Sequence, residues 1–577
     1  MLDKKDPEPS LQELKNDTLD AIKECRDLRQ SIRSQRSVKL KEPLPDLRST
    51  IPSKEECDEL VHCYLRTVEL LYRVVHIPSF WMEYEAFWRQ PPSSSSPFLI
   101  KLVLILAIGT IFRPRDRNRD DYDHLVQKWT YAAQWWLVGP SGKSTSNLDG
   151  LQVMCLLLIA RKTCGLGASP WLSAGSLMQA AVTMGLHRDP SNFPSLSRLQ
   201  AEMRLRLWAT VLELALQESL DSATPVMIPA NFDTSAPSNV DDKDLGPNTT
   251  SDSMPELNER LTDASAQVLL HDSARLRMRV LEVMHDCQGQ SYQEALELGR
   301  QLRAVCRKVA AYFRSARNRG QFSSTLGLGE FHASFIDVHL HQYILALYTP
   351  FMVQAMKDPH YYYARKACLE SGRIIASYAD SLHLASEVPD DLLCLFVSGK
   401  GSFKGPLSLD VISSLGLELV TQLEEEYVPC LPGLEGDSLD GLADANRDHL
   451  IETLEHIRSQ LFHIIAGGTP SMKRFGLLAA VLGQIRAMKA GKDVTQTVYE
   501  TVIQSFKDCH SVLQQSATPS EGAIEGLSSG SNVPGAFDIS EPTLSDISMD
   551  LGDAPFDIDL QSLFPSDFNG SILSLFG

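Results

Sequence analysis

Apolar side chains recur every three to four positions along most of the chain, which is the spacing that places them on one face of an α-helix. Strand-like alternation and internal repeats of fixed period are both missing from the pattern. The sequence therefore predicts an all-α, multi-helix body, either solenoid-like or bundled. The predicted helices cover 55–75, 80–89, 97–112, 120–137, 148–163, 170–186, 195–221, 256–285, 290–315, 330–356, 361–383, 407–426, 446–465, 470–490 and 494–515.

The first segment, residues 1–41, contains a short heptad repeat. Its a and d positions are Leu11, Leu14, Thr18, Ala21, Cys25, Leu28 and Ile32. This seam predicts a short N-terminal coiled coil and hence a homo- or heterodimer contact. A single solvated helix is the alternative, because so short a repeat with Thr, Ala and Cys in its seam is weak.

The second half of this segment is basic, and a Pro- and Ser-rich stretch at 42–54 follows it as a predicted linker. The cations are Arg26, Arg29, Arg33, Arg36, Lys39 and Lys41, opposed only by Asp27. Such a run is typical of phosphate contacts with DNA or of a nuclear import signal. A solvated helix face accounts for it equally well.

The last segment, residues 516–577, changes in character. Between Ser511 and Gly577 there are ten acidic residues and no Lys or Arg, in a setting rich in Ser, Gly and Pro. This composition predicts a disordered acidic tail. Its apolar side chains lie among or after the acids, at Phe556, Ile558, Leu560, Leu563, Phe564 and Phe568. Repelling carboxylates that keep apolar side chains accessible are typical of an activation segment that a partner groove binds; docking back onto the body is the alternative.

Composition limits the chemistry. The net charge is -19, so any contact with nucleic acid must be local. The eleven cysteines are scattered and include no C-x-x-C pair, which argues against zinc fingers and ribbons. The longest apolar stretch, residues 98–112, contains a lysine and is too short to span a bilayer of ~30 Å. We therefore expect an intracellular protein, no metal site and no membrane partner.

Two passages resemble a known family. In the first, His76-x-Pro78-x-Phe80 opens a helix within VHIPSFWMEYEAFW and resembles the start of the fungal-specific transcription factor domain, also called the middle homology region. The second passage is similar to that domain's central signature. It includes Trp171, Gly175, Gly185, His187, Arg188, Asp189, Glu202, Arg206, Trp208 and Asp221. The signature runs over 75–245, the resemblance over about 55–400, and 401–515 reads as a C-terminal helical part of the same body.

The signature residues are interpreted as structural. Gly185 is expected to end a helix, Gly175 to lie on a closely packed face, and Asp189 to accept a hydrogen bond from Arg188 or Arg204. Two positions depart from the family pattern, since Ala209 replaces a second aromatic residue and Ala223-Thr224 replaces a glycine before the proline. These departures weaken any assignment to a subfamily or ligand.

The resemblance implies a nuclear transcription regulator of the zinc binuclear cluster type. Members hold two zinc ions in an N-terminal cysteine cluster, whereas only Cys25 and Cys57 precede the body here, so no cofactor is expected in this chain. The implied function is activation of RNA polymerase II genes of a metabolic or secondary-metabolite pathway. The implied partners are DNA, bound directly or through another protein, coactivator machinery, and an inducer of unknown identity. A co-regulator that does not bind DNA and acts through a DNA-bound partner is the alternative.

Enzymatic activity is not expected. Gly526-Leu-Ser-Ser-Gly530 matches G-x-S-x-G but lies in the low-complexity tail, without the strand and helix that a nucleophile elbow needs. Gly142-Lys-Ser144 resembles the end of a phosphate-binding loop, yet Leu137 occupies the position of its first glycine. Neither match supports catalysis.

Overall fold

The computed structural model is a helical body. It describes residues 11–36, 47–89, 96–113, 119–138, 146–166, 172–229, 231–245, 260–286, 289–322, 327–380, 390–426, 438–466 and 472–517. Its helices are α1 (Leu11–Arg36), α2 (Lys54–Arg66), α3 (Val68–Tyr72), α4 (Ile77–Arg89), α5 (Pro97–Gly109), α6 (Arg119–Val138), α7 (Leu148–Thr163), α8 (Ala174–Thr183), α9 (Arg198–Ser222), α10 (Ser265–Met284), α11 (Tyr292–Asn318), α12 (Glu330–Gln354), α13 (Tyr362–Asp380), α14 (Asp391–Ser398), α15 (Leu409–Glu426), α16 (Ser438–Ala466), α17 (Met472–Ala490) and α18 (Val494–Ala517). These residues contain no β-strand, which confirms the predicted all-α class.

Some predicted helix boundaries are wrong, since α10 begins at Ser265 rather than 256 and α16 begins at Ser438 rather than 446. The single helix expected over 55–75 is divided at Thr67, whose φ of -118° and ψ of -85° are not helical. The Thr67 hydroxyl donates to the carbonyl oxygen of Cys63 at 2.5 Å, which satisfies the end of α2. α14 is missing from the predicted helices because its eight residues are too short to show a period.

One apolar core connects the described helices, from Leu14 in α1 to Leu513 in α18. α5 lies at its centre, buried from Phe98 to Gly109, and packs against α2, α6 and α7. Within the part of the chain that the structure describes, no helix is long and apolar enough to cross a membrane. The C-terminal part continues this core, since α15 packs on α13 and α17, and α17 packs on α16 and α18.

The heptad face predicted as a dimer seam packs against another helix of the same chain. The seam residues Leu14, Ala21 and Cys25, and Ile22 next to them, are buried where α1 packs along α18. The Cys25 Sγ lies 3.2 Å from the carbonyl oxygen of Phe506. The long α18 has a continuous apolar face. The apolar side chains of α1 are buried against this face, and no second copy of the chain is needed to bury them. Leu11 is exposed and Leu28 is partly buried. The side chain of Ile32 lies outside the described residues.

The predicted linker is likewise part of the body from residue 47 onwards. Leu47 is 2% exposed, and the indole N–H of Trp129 donates to the hydroxyl of Thr50 at 2.9 Å. Ser53 then caps α2 through a capping box with Glu56. Residues 47–54 therefore pack on the body and Ser53 starts α2, so they do not form the linker that their composition predicts. Residues 42–46 lie outside the described part.

Candidate functional site

Polar side chains form a regular row along α9, a helix that is buried over most of its surface. They recur at spacings of three or four residues, so they share one face. This row, which we call the α9 polar ladder, consists of Glu202, Arg206, Thr210, Glu213, Gln217 and Asp221. Buried polar groups require partners, and the members of the ladder bond to residues of several other segments of the chain.

The upper part of the ladder is built on Asp242. The Arg206 Nε donates to Glu202 Oε1 at 3.0 Å, and its Nη1 donates to Asp242 Oδ1 at 2.5 Å. The guanidinium of Arg73 pairs with the same carboxylate, whose other oxygen accepts from the amide of Ile77 at 2.8 Å. Burial alone would raise the pKa of Asp242, but the two arginines outweigh it and hold the pKa at about 2.

Glu69 connects this cluster to the first helices. The Tyr64 hydroxyl donates to Glu69 Oε2 at 2.6 Å, and the amide of Val75 donates to Oε1 at 3.0 Å. Burial raises the pKa of Glu69 to about 7, although Arg73 opposes the shift. The left-handed turn at Arg73, with φ of 51°, aims its side chain at both carboxylates.

The lower part of the ladder is centred on Glu213. Arg277 of α10 donates to both Glu213 oxygens, at 2.9 and 2.6 Å, and the His339 Nε2 of α12 lies 2.9 Å from Oε1. Burial would raise the pKa of Glu213, but Arg277 and His339 keep it below its usual range. The amide of Gln217 donates to the Tyr72 hydroxyl at 2.8 Å. Helices α3, α10 and α12 therefore meet on one side of α9.

Asp221 ends the ladder and reaches across the predicted division at 400. It accepts from Lys162 Nζ at 2.5 Å and from the amide of Ser402 at 2.6 Å. Gly401 has a φ of 56°, and a Cβ there would lie 2.2 Å from the Asp221 carboxylate, so only glycine fits. A signature residue, Asp221, therefore joins the segments 55–400 and 401–515.

The signature residues that follow α8, from Gly185 to Asp189, make hydrogen bonds that differ in part from the predicted ones. Gly185 ends α8 as expected, with φ of 74° and the paired hydrogen bonds of a Schellman motif. Asp189, however, accepts from the amide and hydroxyl of Ser235 at 3.0 and 2.5 Å, which lowers its pKa to about 2. The expected pairing with Arg188 or Arg204 is wrong, because Arg188 faces Asp233 at 3.8 Å and Arg204 donates to the Met184 carbonyl.

Other signature residues are also structural, with one correction. His76 contacts the Asp242 carbonyl, Pro78 lies in the first turn of α4, and Phe80 is buried, as a helix opening requires. Trp208 is buried and packs edge-on against Phe232, and His187 lies near the Trp208 ring. Gly175 is exposed with only the Ser173 hydroxyl near its missing Cβ, so the closely packed face predicted there is wrong. Trp171 lies outside the described residues.

Most of the predicted interaction residues lie outside the described residues as well. Arg26 is exposed on α1, whereas the side chains of Arg29, Arg33 and Arg36 are not described. The same holds for Lys39, Lys41 and the predicted activation residues Phe556, Ile558, Leu560, Leu563, Phe564 and Phe568. The structure therefore tests neither the basic run nor the tail.

The two most N-terminal thiols do not fit a zinc cluster. Cys25 and Cys57 are both buried, and burial raises the pKa of each thiol to about 12. Zinc ligands must be deprotonated, which these surroundings oppose. Among the described residues, no group of three or more His, Cys, Asp or Glu side chains is placed to hold a metal ion.

The partners of the ladder were missed by sequence reasoning. Asp242, Arg277, His339 and Lys162 are the polar partners opposite α9, yet each lies far from the α9 residues in sequence. Sequence reasoning had one usable signal, which is charged residues inside an otherwise apolar helix. That signal indicates that partners exist without indicating which they are.

This arrangement is a helical body tied together by buried charge, and the comparisons identify its class. Residues 61–301 match the family described as "Fungal specific transcription factor domain". The chain is 49% identical to transcription factor opdR of Penicillium oxalicum, over 93% of this chain and 69% of that protein. It is 32% identical to transcription factor lepE of Aspergillus flavus, over 88% and 62% of the two chains. It is 29% identical to the aspyridones cluster regulator apdR of Emericella nidulans, over 82% and 60%.

The chain belongs to this family of fungal transcription factors. It spans about two thirds of the length of these curated relatives. No solved structure matches it.

Proposed function

We propose that this chain activates transcription of a fungal secondary-metabolite gene cluster. One relative is named as the regulator of the aspyridones cluster, and other relatives carry the name of transcription factors. The observation that carries the activating role is the sequence beyond α18, where ten acids and no Lys or Arg surround a set of large apolar side chains. Acidic, apolar segments of this kind bind coactivators as short amphipathic helices.

The body supplies the regulatory and assembly part of this function. The charged side chains of the α9 polar ladder pair with other residues of the same chain. Fully paired buried networks of this kind rigidify a fold and specify a single structure. We propose that the protein acts in the nucleus at DNA, with the exposed Arg26 and the basic run that follows it in the sequence contributing phosphate contacts. The cysteines near the N-terminus do not fit the family's zinc cluster, so we propose that this chain binds no zinc through them.

A reporter assay tests the activating role. Residues 516–577 fused to an unrelated DNA-binding domain should activate the reporter, and replacing Phe556, Leu560 and Phe564 by alanine should remove most of that activity. The matched control replaces Gln561, Ser562 and Ser566, which lie in the same segment but lack apolar surface. A silent fusion would refute the activating role.

The alternative role is a co-regulator that reaches DNA only through a partner. Chromatin immunoprecipitation of the tagged chain, followed by gel shifts of the purified chain on the enriched sequences, separates the two. Direct regulation predicts a shift with the purified chain alone. Enrichment on chromatin without a shift would favour the co-regulator.

A further inference from the structure

A cleft of about 220 Å³ opens between α11, α12 and the end of α13. Val309 and Phe313 of α11, Phe322 beyond it and Ala333 of α12 supply its apolar walls. An apolar cavity of ~150 Å³ is large enough for a benzene ring, so this cleft has room for one aromatic side chain. Nothing in the α9 polar ladder involves this site.

The rim of the cleft is polar and partly satisfied. The Tyr378 hydroxyl donates to Asp337 Oδ2 at 2.9 Å, and Arg317 pairs with Glu330 while lying over the Phe322 ring. Both carboxylates that line the cleft therefore have partners. Arg314 is exposed at the same rim and pairs with no carboxylate among the described residues.

The helix that carries the cleft is strongly basic although the chain is acidic overall. From Arg300 to Arg319 it contains seven cations and no acidic residue. Four of the cations pair with carboxylates, at Glu297, Glu370, Asp272 and Glu330. Arg314 lines the cleft, and Arg307, whose Nε donates to the carbonyl of Arg303, lies seven residues earlier on the same face of α11. Both side chains are exposed and have no carboxylate partner among the described residues, so they form a positive edge beside the cleft.

We propose that the chain's own segment 556–568 binds along this edge and places one of its aromatic side chains in the cleft. The segment alternates acids with large apolar residues in the run Phe-Asp-Ile-Asp-Leu at 556–560, which matches an aromatic pocket beside unpaired cations. In this arrangement the carboxylates of the segment pair with Arg307 and Arg314. One of its phenylalanine rings packs against the aromatic side chains of the cleft.

The length of the intervening chain permits this contact. The 38 residues from 518 to 555 separate α18 from the segment, and they reach up to ~125 Å when extended. A body of this size has a diameter of ~60 Å, so the segment reaches any part of its surface. Because the linkage is intramolecular, the effective concentration is high, and even a weak contact is populated.

DNA is the competing occupant, and two observations disfavour it. Carboxylates within the body already neutralise most cations of α11. An aromatic cleft also contributes nothing to phosphate contacts. Binding here withholds the apolar side chains on which the proposed activation depends, yet the contact itself does not require that the tail activates.

Binding of a labelled peptide tests the inference. The probe is a fluorescent peptide of residues 550–577, and the acceptor is the full chain with Phe556, Leu560 and Phe564 replaced by alanine, so that its own tail does not compete. We expect micromolar binding by anisotropy, and at least ~10-fold weaker binding to the unsubstituted chain because its tail occupies the cleft.

Two further acceptor variants separate charge from shape. Arg307→Glu with Arg314→Glu should weaken peptide binding at least ~10-fold, and Ala310→Trp, which fills the cleft from its exposed rim, should do the same with all charges kept. Arg300→Glu, an exposed cation of α11 that pairs with Glu297 away from the cleft, is the matched control and should change binding less than ~2-fold. Melting temperatures check that each variant is folded.

The proposal is overturned if the peptide does not bind, or if it binds all variants equally. It is also overturned if duplex DNA, but not the peptide, loses affinity in the charge-reversal variant. The reporter fusion stands apart from these measurements, so loss of peptide binding and loss of activation are distinguishable.

Discussion

Asp242 is the residue on which two fully buried guanidinium groups converge. Glu202, Arg206 and Asp221 could be recognised from sequence as structural, because charged side chains in an apolar helix need partners. Asp242 and Arg277 could not be assigned as those partners, since they lie 36 and 64 residues from the groups they bind. Residue types thus reveal the requirement for pairing, and only the fold reveals the pairs.

Removing the charge of Asp242 should be costly. Asp242→Asn leaves Arg73 and Arg206 buried against a neutral amide, and breaking a buried pair costs roughly 3–5 kcal/mol of unfolding free energy. Arg188→Ala, which removes the signature's exposed pair with Asp233, should cost less than ~1 kcal/mol. Urea denaturation of both variants measures the difference, and equal losses would contradict the role given to Asp242.

His332 should make stability depend on pH. Its Nδ1 accepts from the amide of Gly329 and its Nε2 contacts the Thr67 carbonyl, so it is held neutral, and burial lowers its pKa to about 4. The unfolded chain binds this proton first as pH falls below ~6.5, so the stability is present above ~6.5 and is lost towards pH 4. At pH 5 the loss is about 2 kcal/mol.

The control for this prediction is His332→Gln, which does not titrate. Glu69 acts in the opposite direction, because its raised pKa of about 7 makes stability fall as pH rises from ~4.5 to 7. That contribution is common to wild type and variant, so it cancels in their difference. Denaturation at pH 7 and pH 5 should show a steeper loss for the wild type, and parallel losses would exclude His332.

At the scale of elements, sequence periodicity locates long helices well and short ones poorly. Helix α7 begins and ends at the predicted residues, because Asn147 caps its start. The signature glycines show the limit of such reasoning. Gly185 is explained by its left-handed turn, whereas Gly175 is exposed and Gly109, which was not singled out, lies against the backbone of Leu60.

Two glycine substitutions should therefore have opposite effects. Gly109→Ala places a Cβ 2.2 Å from the Leu60 carbonyl oxygen, forcing α5 away from α2 at a cost of about 1–3 kcal/mol or more. Gly175→Ala meets only the Ser173 hydroxyl at 3.5 Å and should stabilise α8 by up to about 1 kcal/mol. Melting temperatures that shift in the same direction would contradict this assignment.

At the scale of the whole molecule, the sequence predicts separate segments where the structure has one core. The heptad of α1 shows an apolar face but not its partner, because contacts between residues 481 positions apart leave no local pattern. The face was therefore assigned to a second copy of the chain. The packing of α1 on α18 places the helix that carries Arg26 beside the helix that precedes the acidic tail.

Ile22→Asp should release α1 from α18, because a carboxylate at a side chain only 2% exposed opposes packing. Hydrogen exchange should then quicken in α1 and along α18, while α9 and its partners keep their protection. Lys23→Asp introduces the same side chain at the exposed neighbouring position and should leave exchange unchanged. If α1 instead mediates dimers, Ile22→Asp would change the sedimentation of the protein and leave the exchange of α18 unaltered. Helix α1 has a single apolar face, so it cannot pack on α18 and pair with a second copy of the chain at the same time. This experiment distinguishes the two arrangements.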